Sequence, residues 1–217
     1  MNIEQARFNM IEQQIRPWDV LDPAVLSLLA VVKREDFVPA AHRALAFVDS
    51  EIPLPEGQVM LAPRVEARLL QEAKVQRHET VLEVGAGSGF MAALLAHRAL
   101  RVVSLEKRPA LARMARENLA RAGITNAEVR EADGSAGLAA EGPFDVIVLS
   151  GSVAQVPDTL LQQLKVGGRL LAIEGCDPVM RAVQITRTGE SGFARVELFD
   201  TVAQRLDGFA EPSRFHF

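Results

Sequence analysis

The chain of 217 residues is poor in the residues that build several common kinds of functional site. Cys176 is the only cysteine, so neither a disulfide framework nor a cysteine-rich metal site can form within one chain. Aromatic residues make up 5% of the sequence and tyrosine is absent, which argues against a surface for stacking nucleobases. The formal net charge is −4, whereas a sequence-independent nucleic-acid binder needs a basic face.

Long hydrophobic runs are also missing. The longest mostly apolar stretch, residues 24–32, is far too short to cross a membrane. The first residues lack the basic and apolar regions of a secretory signal, and the four histidines lack metal-ligand spacing. We therefore expect a cytoplasmic protein with no membrane or nucleic-acid partner and no metal. Hydrophobic residues still make up 48% of the chain, enough for a sizeable core.

The most informative motif lies at residues 81–90, which read VLEVGAGSGF. An apolar run ends in three glycines at alternate positions, Gly85, Gly87 and Gly89, and a helical pattern follows at residues 91–97. Glycines in such a turn allow a backbone conformation and a close approach of ligand that side chains would prevent. The motif predicts a strand, a tight turn and a helix that together bind a ligand.

An acidic residue with an informative spacing follows this turn. Glu106 closes the next apolar run, 21 residues after Gly85, where a carboxylate can accept hydrogen bonds from both hydroxyls of an adenosine ribose. A dinucleotide-binding motif would carry a small residue at position 90, but Phe90 is there. Gly-x-Gly-x-Gly, with Glu83 two residues before it, is similar to motif I of the S-adenosylmethionine-dependent methyltransferases. We expect S-adenosylmethionine as the cofactor and S-adenosylhomocysteine as its product.

Strand and helix patterns alternate from residue 79 onward. Strands are predicted at 81–84, 101–105, 127–131, 144–149 and 169–173, with helices at 91–97, 109–122 and 158–164. Such alternation predicts a mainly parallel sheet with helices on both faces. The strands expected at 182–187 and 193–201 are joined by a loop too short for a crossover helix, which predicts an antiparallel hairpin. The predicted fold class is α/β, a Rossmann-like methyltransferase fold.

The segments outside the glycine turn are more specific for one family than the turn itself, which most methyltransferases share. They are the opening helix around residues 10–15, Arg34-Glu35-Asp36-Phe37-Val38-Pro39, Asp49 and Pro53 before Gly57-Gln58, Asp133-Gly134, and Val156-Pro157 leading to Gly167-Gly168. In this combination the chain resembles the protein-L-isoaspartate O-methyltransferase family over nearly its whole length. The resemblance implies methylation of the free carboxylate of an L-isoaspartyl residue in a protein or peptide. The ester then cyclises to a succinimide, part of which reopens to aspartate.

The motifs, the strand–helix pattern and the resemblance together divide the chain and supply its candidate site residues. We expect residues 1–78 to form an N-terminal helical extension with the substrate loop and residues 79–217 to form the methyltransferase core, the two being one structural domain. The cofactor-binding candidates are Glu83, Gly85, Ala86, Gly87, Ser88, Gly89, Glu106, Asp133 and Gly134. The substrate-binding candidates are Gln58, Leu61, Arg64 and Ser150. Asp133 is expected near the adenine amine, the alternative being a simple turn aspartate, and Ser150 is equally compatible with an ordinary turn serine.

The substrate loop departs from the family at three positions. The family reads glycine-glutamine-threonine-isoleucine-serine-glutamine-proline, whereas residues 57–63 read GQVMLAP. Val59, Leu61 and Ala62 thus replace two hydroxyl side chains and an amide. The resemblance assigns the family serine to the substrate carboxylate, so no catalytic residue is assigned here. Arg64 is a candidate to bind a carboxylate instead, the alternative being a solvated residue at a helix start.

Three functions therefore stay open. The first is isoaspartyl methylation with weak activity. A carboxylate is already ionised at pH 7 and needs alignment rather than a general base, so the loss of polar loop side chains weakens the reaction without removing an obligatory group. The second is methyl transfer to a different carboxylate or a small molecule. The third is a non-catalytic, cofactor-binding adaptor that has lost its acceptor site.

Overall fold

The computed structural model of the chain describes residues 2–211. Its N-terminal part holds helices α1 (Ile3–Met10), α2 (Pro23–Val31) and α3 (Pro63–Ala73), with two-residue strands β1 (Ile52–Pro53) and β2 (Val59–Met60) before α3. Short irregular helical turns lie at Ile11–Ile15, Arg16–Trp18, Arg34–Asp36, Ala40–Leu45 and Pro55–Gly57. Helix α2 begins at Pro23 because the Asp22 carboxylate accepts a hydrogen bond from the Ala24 N–H at 2.8 Å and caps the helix.

A seven-stranded sheet forms the rest of the fold. Its elements are β3 (Thr80–Val84), α4 (Phe90–Ala96), β4 (Arg101–Glu106), α5 (Pro109–Arg121), β5 (Ala127–Glu131), β6 (Phe144–Val153), α6 (Asp158–Leu161), β7 (Leu164–Cys176), β8 (Val179–Arg187) and β9 (Phe193–Asp200). The strand order is β5-β4-β3-β6-β7-β8-β9. Strands β3 to β7 are parallel, and β8 pairs antiparallel with both β7 and β9. The predicted fold class is confirmed, including the antiparallel hairpin.

Two connections differ from their sequence patterns. Helix α6 ends at Leu161 rather than at Leu164, because Leu164 already pairs with Phe144 in the sheet. Strand β7 continues to Cys176 and turns directly into β8, so the antiparallel part contains three strands rather than two. No helix found in residues 2–211 has both the length and the apolar character needed to cross a membrane.

The two faces of the sheet carry separate apolar clusters. Because successive strand residues point to opposite faces, Val81 and Val102 enter one cluster while Leu82 and Val103 enter the other. The first cluster joins the N-terminal helices to α4 and α5, and includes Ile15, Leu29, Leu69, Leu94 and Leu111. The second is covered by α6 and by Phe209. The extension and the sheet thus share apolar side chains, while the boundary at residue 78 stays a prediction.

One edge of the sheet combines the features needed for a ligand site. The strand order reverses at β3, which has β4 on one side and β6 on the other. Open α/β sheets bind ligands in the crevice at the carboxyl ends of the strands at such a point. Val84 of β3 lies opposite Leu149 of β6, so Gly85 and Ser150 follow at neighbouring positions in this crevice.

Candidate active site

The glycine turn after β3 depends on its glycines for conformation and for packing. Gly85, Gly87 and Gly89 have φ values of +91°, +51° and +85°, a region that side chains disfavour. A Cβ atom at Gly89 would lie 3.2 Å from the backbone of Ala115, so glycine also allows α4 to start close against α5. The N–H of Gly85 donates to the carbonyl oxygen of Leu105 at 2.8 Å, which ties the turn to the end of β4.

Glu106 lies directly across from this turn at the end of β4. One of its carboxylate oxygens accepts a hydrogen bond from the Gly87 N–H at 2.9 Å, and the other accepts from the Arg108 N–H at 3.0 Å. A carboxylate offers about four acceptor positions, so further positions remain for a ligand. The side chain is 6% exposed and lines a cavity above the turn. The spacing in the sequence therefore corresponds to a carboxylate fixed by backbone contacts beside the glycine turn.

Two adjoining cavities surround the glycine turn. The outer cavity is lined by Gln58, Val59, Val84, Gly85, Gly87, Leu105, Glu106, Lys107, Arg108, Leu111, Gly134, Ser150, Leu206 and Asp207. The inner cavity is lined by Val59, Met60, Leu61, Glu66, Glu83, Gly85, Ala86, Gly87, Ser88, Phe90, Met91 and Ser150. The residues common to both linings, and thus at their junction, are Val59, Gly85, Gly87 and Ser150. The substrate loop and the glycine turn therefore face each other at one edge of the sheet.

The inner cavity contains a fully buried acid, Glu83. Its two carboxylate oxygens accept hydrogen bonds from the hydroxyls of Ser104 and Ser150, the latter at 2.7 Å. Burial raises the pKa of Glu83 to about 7; the two serine hydroxyls act in the opposite direction, while Glu66 and Glu106 raise it further. Ser150, predicted at the acceptor side, thus also orients the buried acid.

The adjacent residues Asp133 and Gly134 have different surroundings in the structure. Gly134 lines the outer cavity and packs against Val84. The Asp133 carboxylate instead accepts hydrogen bonds from Lys107 Nζ at 2.8 Å and from the Ser135 N–H at 3.0 Å. The Lys107 contact, with the Ser135 bonds, lowers the pKa of Asp133 to about 2. Gly134 is therefore placed at the cavity, while the role of Asp133 beside an adenine stays a prediction.

The chain matches the sequence model of one protein family over most of its length. That family is described as protein-L-isoaspartate(D-aspartate) O-methyltransferase, and the match covers residues 5–196. The chain belongs to this family. A Methanoculleus marisnigri protein named protein-L-isoaspartate O-methyltransferase is 40% identical over 181 residues, which cover 82% of each chain. A Koribacter versatilis protein of the same name is 38% identical over 194 residues, covering 89% of this chain and 87% of its own.

Solved structures agree with this chain in fold. A Plasmodium falciparum protein-L-isoaspartate O-methyltransferase, solved in complex with S-adenosyl-L-homocysteine, has a TM-score of 0.78 at 20% identity and covers 95% of this chain and 99% of its own. A second structure of that name has a TM-score of 0.79 at 22% identity and covers 93% of this chain and 66% of its own. The predicted class, an S-adenosylmethionine-dependent methyltransferase, is confirmed by family membership. Within residues 2–211, no three His, Cys, Asp or Glu side chains are grouped to hold a metal.

The substrate loop of this family member is held by a buried arginine. Arg34 is 1% exposed, forms an ion pair with Glu66 and donates from Nη2 to the carbonyl oxygen of Leu61 at 2.7 Å. Its guanidinium also lies 5.2 Å from the centroid of the Phe90 ring. The segment at 34–39 that resembles the family therefore links the loop to the start of α4.

Two of the three departures in the loop, Val59 and Leu61, give the inner cavity an apolar wall. Val59 also lines the outer cavity, whereas Ala62 is buried, at 7% exposed, and lines neither cavity. The polar side chains that line the inner cavity are two acids and two serines: Glu66, Glu83, Ser88 and Ser150. Neither an arginine nor a lysine is among its described lining residues, and Arg34, which contacts Glu66 and the Leu61 carbonyl, is already in an ion pair.

Arg64 and Gln58 have different surroundings from each other. The Arg64 guanidinium pairs with Asp49 and lies over the Trp18 ring, 4.3 Å from its centroid, and it lines neither cavity. A role for Arg64 on a substrate carboxylate stays a prediction, and it would require the contact with Asp49 to break. Gln58, in contrast, lines the outer cavity as expected from its place in the loop.

Three residues of the outer cavity carry no signal in the sequence. Arg108 follows Glu106 by two positions, and Leu206 and Asp207 lie beyond the stretch that matches the family. A surface arginine and a C-terminal leucine or aspartate have no distinctive pattern, so only the folded chain brings them to the site.

Proposed function

We propose that this chain binds S-adenosylmethionine across the two cavities and transfers its methyl group to a carboxylate, with the L-isoaspartyl residue of a protein or peptide as the acceptor. The observation that carries the proposal is the position of Gln58 and Val59 against the glycine turn and Glu106 in one cavity. Cofactor candidates and substrate-loop candidates, which are far apart in the sequence, thus adjoin at the point where the sheet order reverses.

The donor and acceptor groups of the cavities fit this cofactor at both ends. Glu106 is placed to accept hydrogen bonds from ribose hydroxyls in the outer cavity. The inner cavity contains the buried acid Glu83, whose ionised form favours the cationic sulfonium and ammonium groups of S-adenosylmethionine, while the second acid, Glu66, is paired with Arg34. A dinucleotide would instead bring an anionic pyrophosphate to a site with buried acids, which is unfavourable electrostatically.

The chain's contribution to methyl transfer is alignment and exclusion of water. The bound cofactor supplies a methyl carbon activated by the adjacent sulfonium. A carboxylate acceptor is ionised at neutral pH, so no side chain has to remove a proton from it. Val59, Met60 and Leu61 give the acceptor side an apolar wall that keeps water out. The buried support from Arg34 fixes the loop relative to the glycine turn.

The apolar loop should make isoaspartyl transfer slow. Each missing neutral hydrogen-bond donor costs on the order of 1 kcal/mol of binding or alignment, or about fivefold in rate. A carboxylate next to Val59 and Leu61 would also lose part of its hydration without new donors.

The acids that line the inner cavity favour a second class of acceptor. The inner cavity offers the oxygens of Glu66 and Glu83, and Arg64 is engaged with Asp49. An acceptor without a negative charge, such as a small neutral molecule, would avoid repulsion by the buried acids.

The cytoplasmic location stays a prediction from the sequence.

The test is a methyl-transfer assay with tritiated S-adenosylmethionine and three acceptors: an isoaspartyl peptide, its aspartyl twin and a cell extract depleted of small molecules, with the small-molecule fraction added back separately. Transfer to the isoaspartyl peptide alone supports the proposal. Transfer that appears only with the small-molecule fraction supports the second acceptor class. Undetectable transfer with normal binding of S-adenosylhomocysteine supports a non-catalytic adaptor and contradicts the proposal.

A further inference from the structure

The segment after β9 passes back beside the outer cavity. Residues 202–211, here called the strap, follow the last strand and lie outside the residues that match the family. The strap pairs with β6, since the Ser152 N–H donates to the Gln204 carbonyl oxygen and the Leu206 N–H donates to the Ser152 carbonyl oxygen, both at 2.8 Å. Phe209 anchors its far end in the second apolar cluster.

The middle of the strap closes one side of the outer cavity. Leu206 packs so closely on the glycine turn that a Cβ atom at Gly85 would lie 2.7 Å from Leu206 Cδ2. Leu206 and Asp207 both line the cavity. Gln204 also donates from its side chain to the Gly57 carbonyl oxygen at 2.8 Å, which connects the strap to the substrate loop.

Arg108 is the side chain that links these covering segments. Its Nη2 atom contacts Asp207 Oδ2 of the strap at 2.5 Å, and its Nη1 atom lies 3.4 Å from Glu56 Oε2. The Gln58 side-chain oxygen, in the amide orientation that satisfies both groups, accepts from Arg108 Nη2 and Nε at 3.0 and 3.2 Å. The backbone N–H of the same residue donates to Glu106. Arg108 thus contacts Glu106, the substrate loop and the strap.

We propose that Arg108 is a positioning residue that holds the strap and the substrate loop closed over the bound cofactor, so that its ion pair with Asp207 controls how fast S-adenosylhomocysteine leaves. The inference rests on the proposed cofactor site and is independent of the acceptor. Both partners are partly solvent-exposed, with side chains 28% and 43% exposed, which makes the pair breakable and sensitive to salt.

The test compares two aspartate variants of the full chain. Asp207→Asn removes the ion pair to Arg108, while Asp200→Asn removes a matched exposed pair between Arg181 and Asp200 on β9, at 2.9 Å and away from the cavities. Dissociation of S-adenosylhomocysteine is followed by surface plasmon resonance. We expect about 1.5-fold to fivefold faster dissociation from Asp207→Asn and no change from Asp200→Asn.

Two further measurements separate positioning from a general loosening. Dissociation from the unmodified chain should accelerate in 1 M salt toward the rate of Asp207→Asn, which itself should respond little. The double variant Arg108→Gln with Asp207→Asn should dissociate no faster than Arg108→Gln alone, since that substitution already removes the contact with Asp207 along with those to Glu56 and Gln58. Equal dissociation rates for Asp207→Asn and Asp200→Asn would overturn the proposal. So would a double variant whose acceleration equals the product of the accelerations of Arg108→Gln and Asp207→Asn. Absence of binding by the unmodified chain would instead contradict the cofactor site.

Discussion

Two buried carboxylates at the site differ in what surrounds them. Glu106 is fixed by backbone N–H groups, while Glu83 accepts only from serine hydroxyls and lies among other acids. The first arrangement fixes the direction of the carboxylate toward a ligand, and in the second, burial raises the pKa of Glu83 to about 7. The spacing in the sequence pointed to both residues, but not to this difference, which depends on neighbours from β4 and β6.

Glu106→Ala should weaken binding of S-adenosylhomocysteine by about 1–3 kcal/mol, or roughly fivefold to 150-fold, because a charged hydrogen-bond acceptor is lost. Titration calorimetry measures the effect. Glu131→Ala is the matched control, since Glu131 ends the neighbouring strand opposite Glu106 but lines neither cavity. Equal affinities for the two variants would contradict the assignment of Glu106.

The raised pKa of Glu83 should make stability depend on pH. Its pKa is about 7 in the folded chain against an ordinary value of 4.5, so its contribution to the free energy of unfolding is complete below about pH 4.5 and is lost as pH rises through 7. In Glu83→Gln this contribution disappears, whereas that of Glu66, whose pKa burial also raises to about 7, remains. Urea unfolding from pH 5 to 8 should therefore show the stability advantage of the unmodified chain over the variant falling, by at most about 1.4 kcal/mol per pH unit. A difference that stays constant over this range would show that Glu83 is ionised throughout.

At the scale of single elements, the strands and helices around the glycine turn were predictable and the substrate loop was only partly so. Apolar runs and the prolines at the first helical positions, Pro23 and Pro109, mark their elements directly. The loop is instead shaped by Arg34, whose contacts with Glu66 and the Leu61 carbonyl join residues about 30 positions apart. No local pattern shows that a charged side chain will be buried, and the same limit applies to the ion pair between Arg64 and Asp49.

Restoring the polar loop tests how much the three apolar residues cost. The triple change Val59→Thr, Leu61→Ser, Ala62→Gln should raise isoaspartyl transfer by about tenfold or more, because donors for a carboxylate return to the inner cavity. Affinity for S-adenosylhomocysteine should stay nearly unchanged. The measurement is the initial rate with an isoaspartyl peptide.

The loop variant needs a control for folding, since Leu61 and Ala62 are buried. Val59→Thr alone is nearly isosteric and lines both cavities, so it should give part of the gain without opening a cavity. If both variants fold, bind S-adenosylhomocysteine and transfer no faster than the unmodified chain, the loop is not what limits isoaspartyl methylation.

At the scale of the whole molecule, strand order decides where the chemistry lies. The alternating pattern correctly predicted parallel strands and the final hairpin, and the reversal at β3 brings Gly85, Glu106 and Ser150 to one crevice. The strap was not predictable, because its role depends on where the chain returns after β9 rather than on any motif within it. The sequence thus indicated the residues around the glycine turn, whereas the segments that cover the outer cavity are brought there by the tertiary structure.

The most direct test of the central claim is a calorimetric titration of the unmodified chain with S-adenosylhomocysteine and, separately, with NAD. We expect binding of one S-adenosylhomocysteine per chain and negligible heat with NAD, because the inner cavity contains buried acids and position 90 is a phenylalanine. No binding of S-adenosylhomocysteine at millimolar concentration, or tighter binding of NAD, would contradict it.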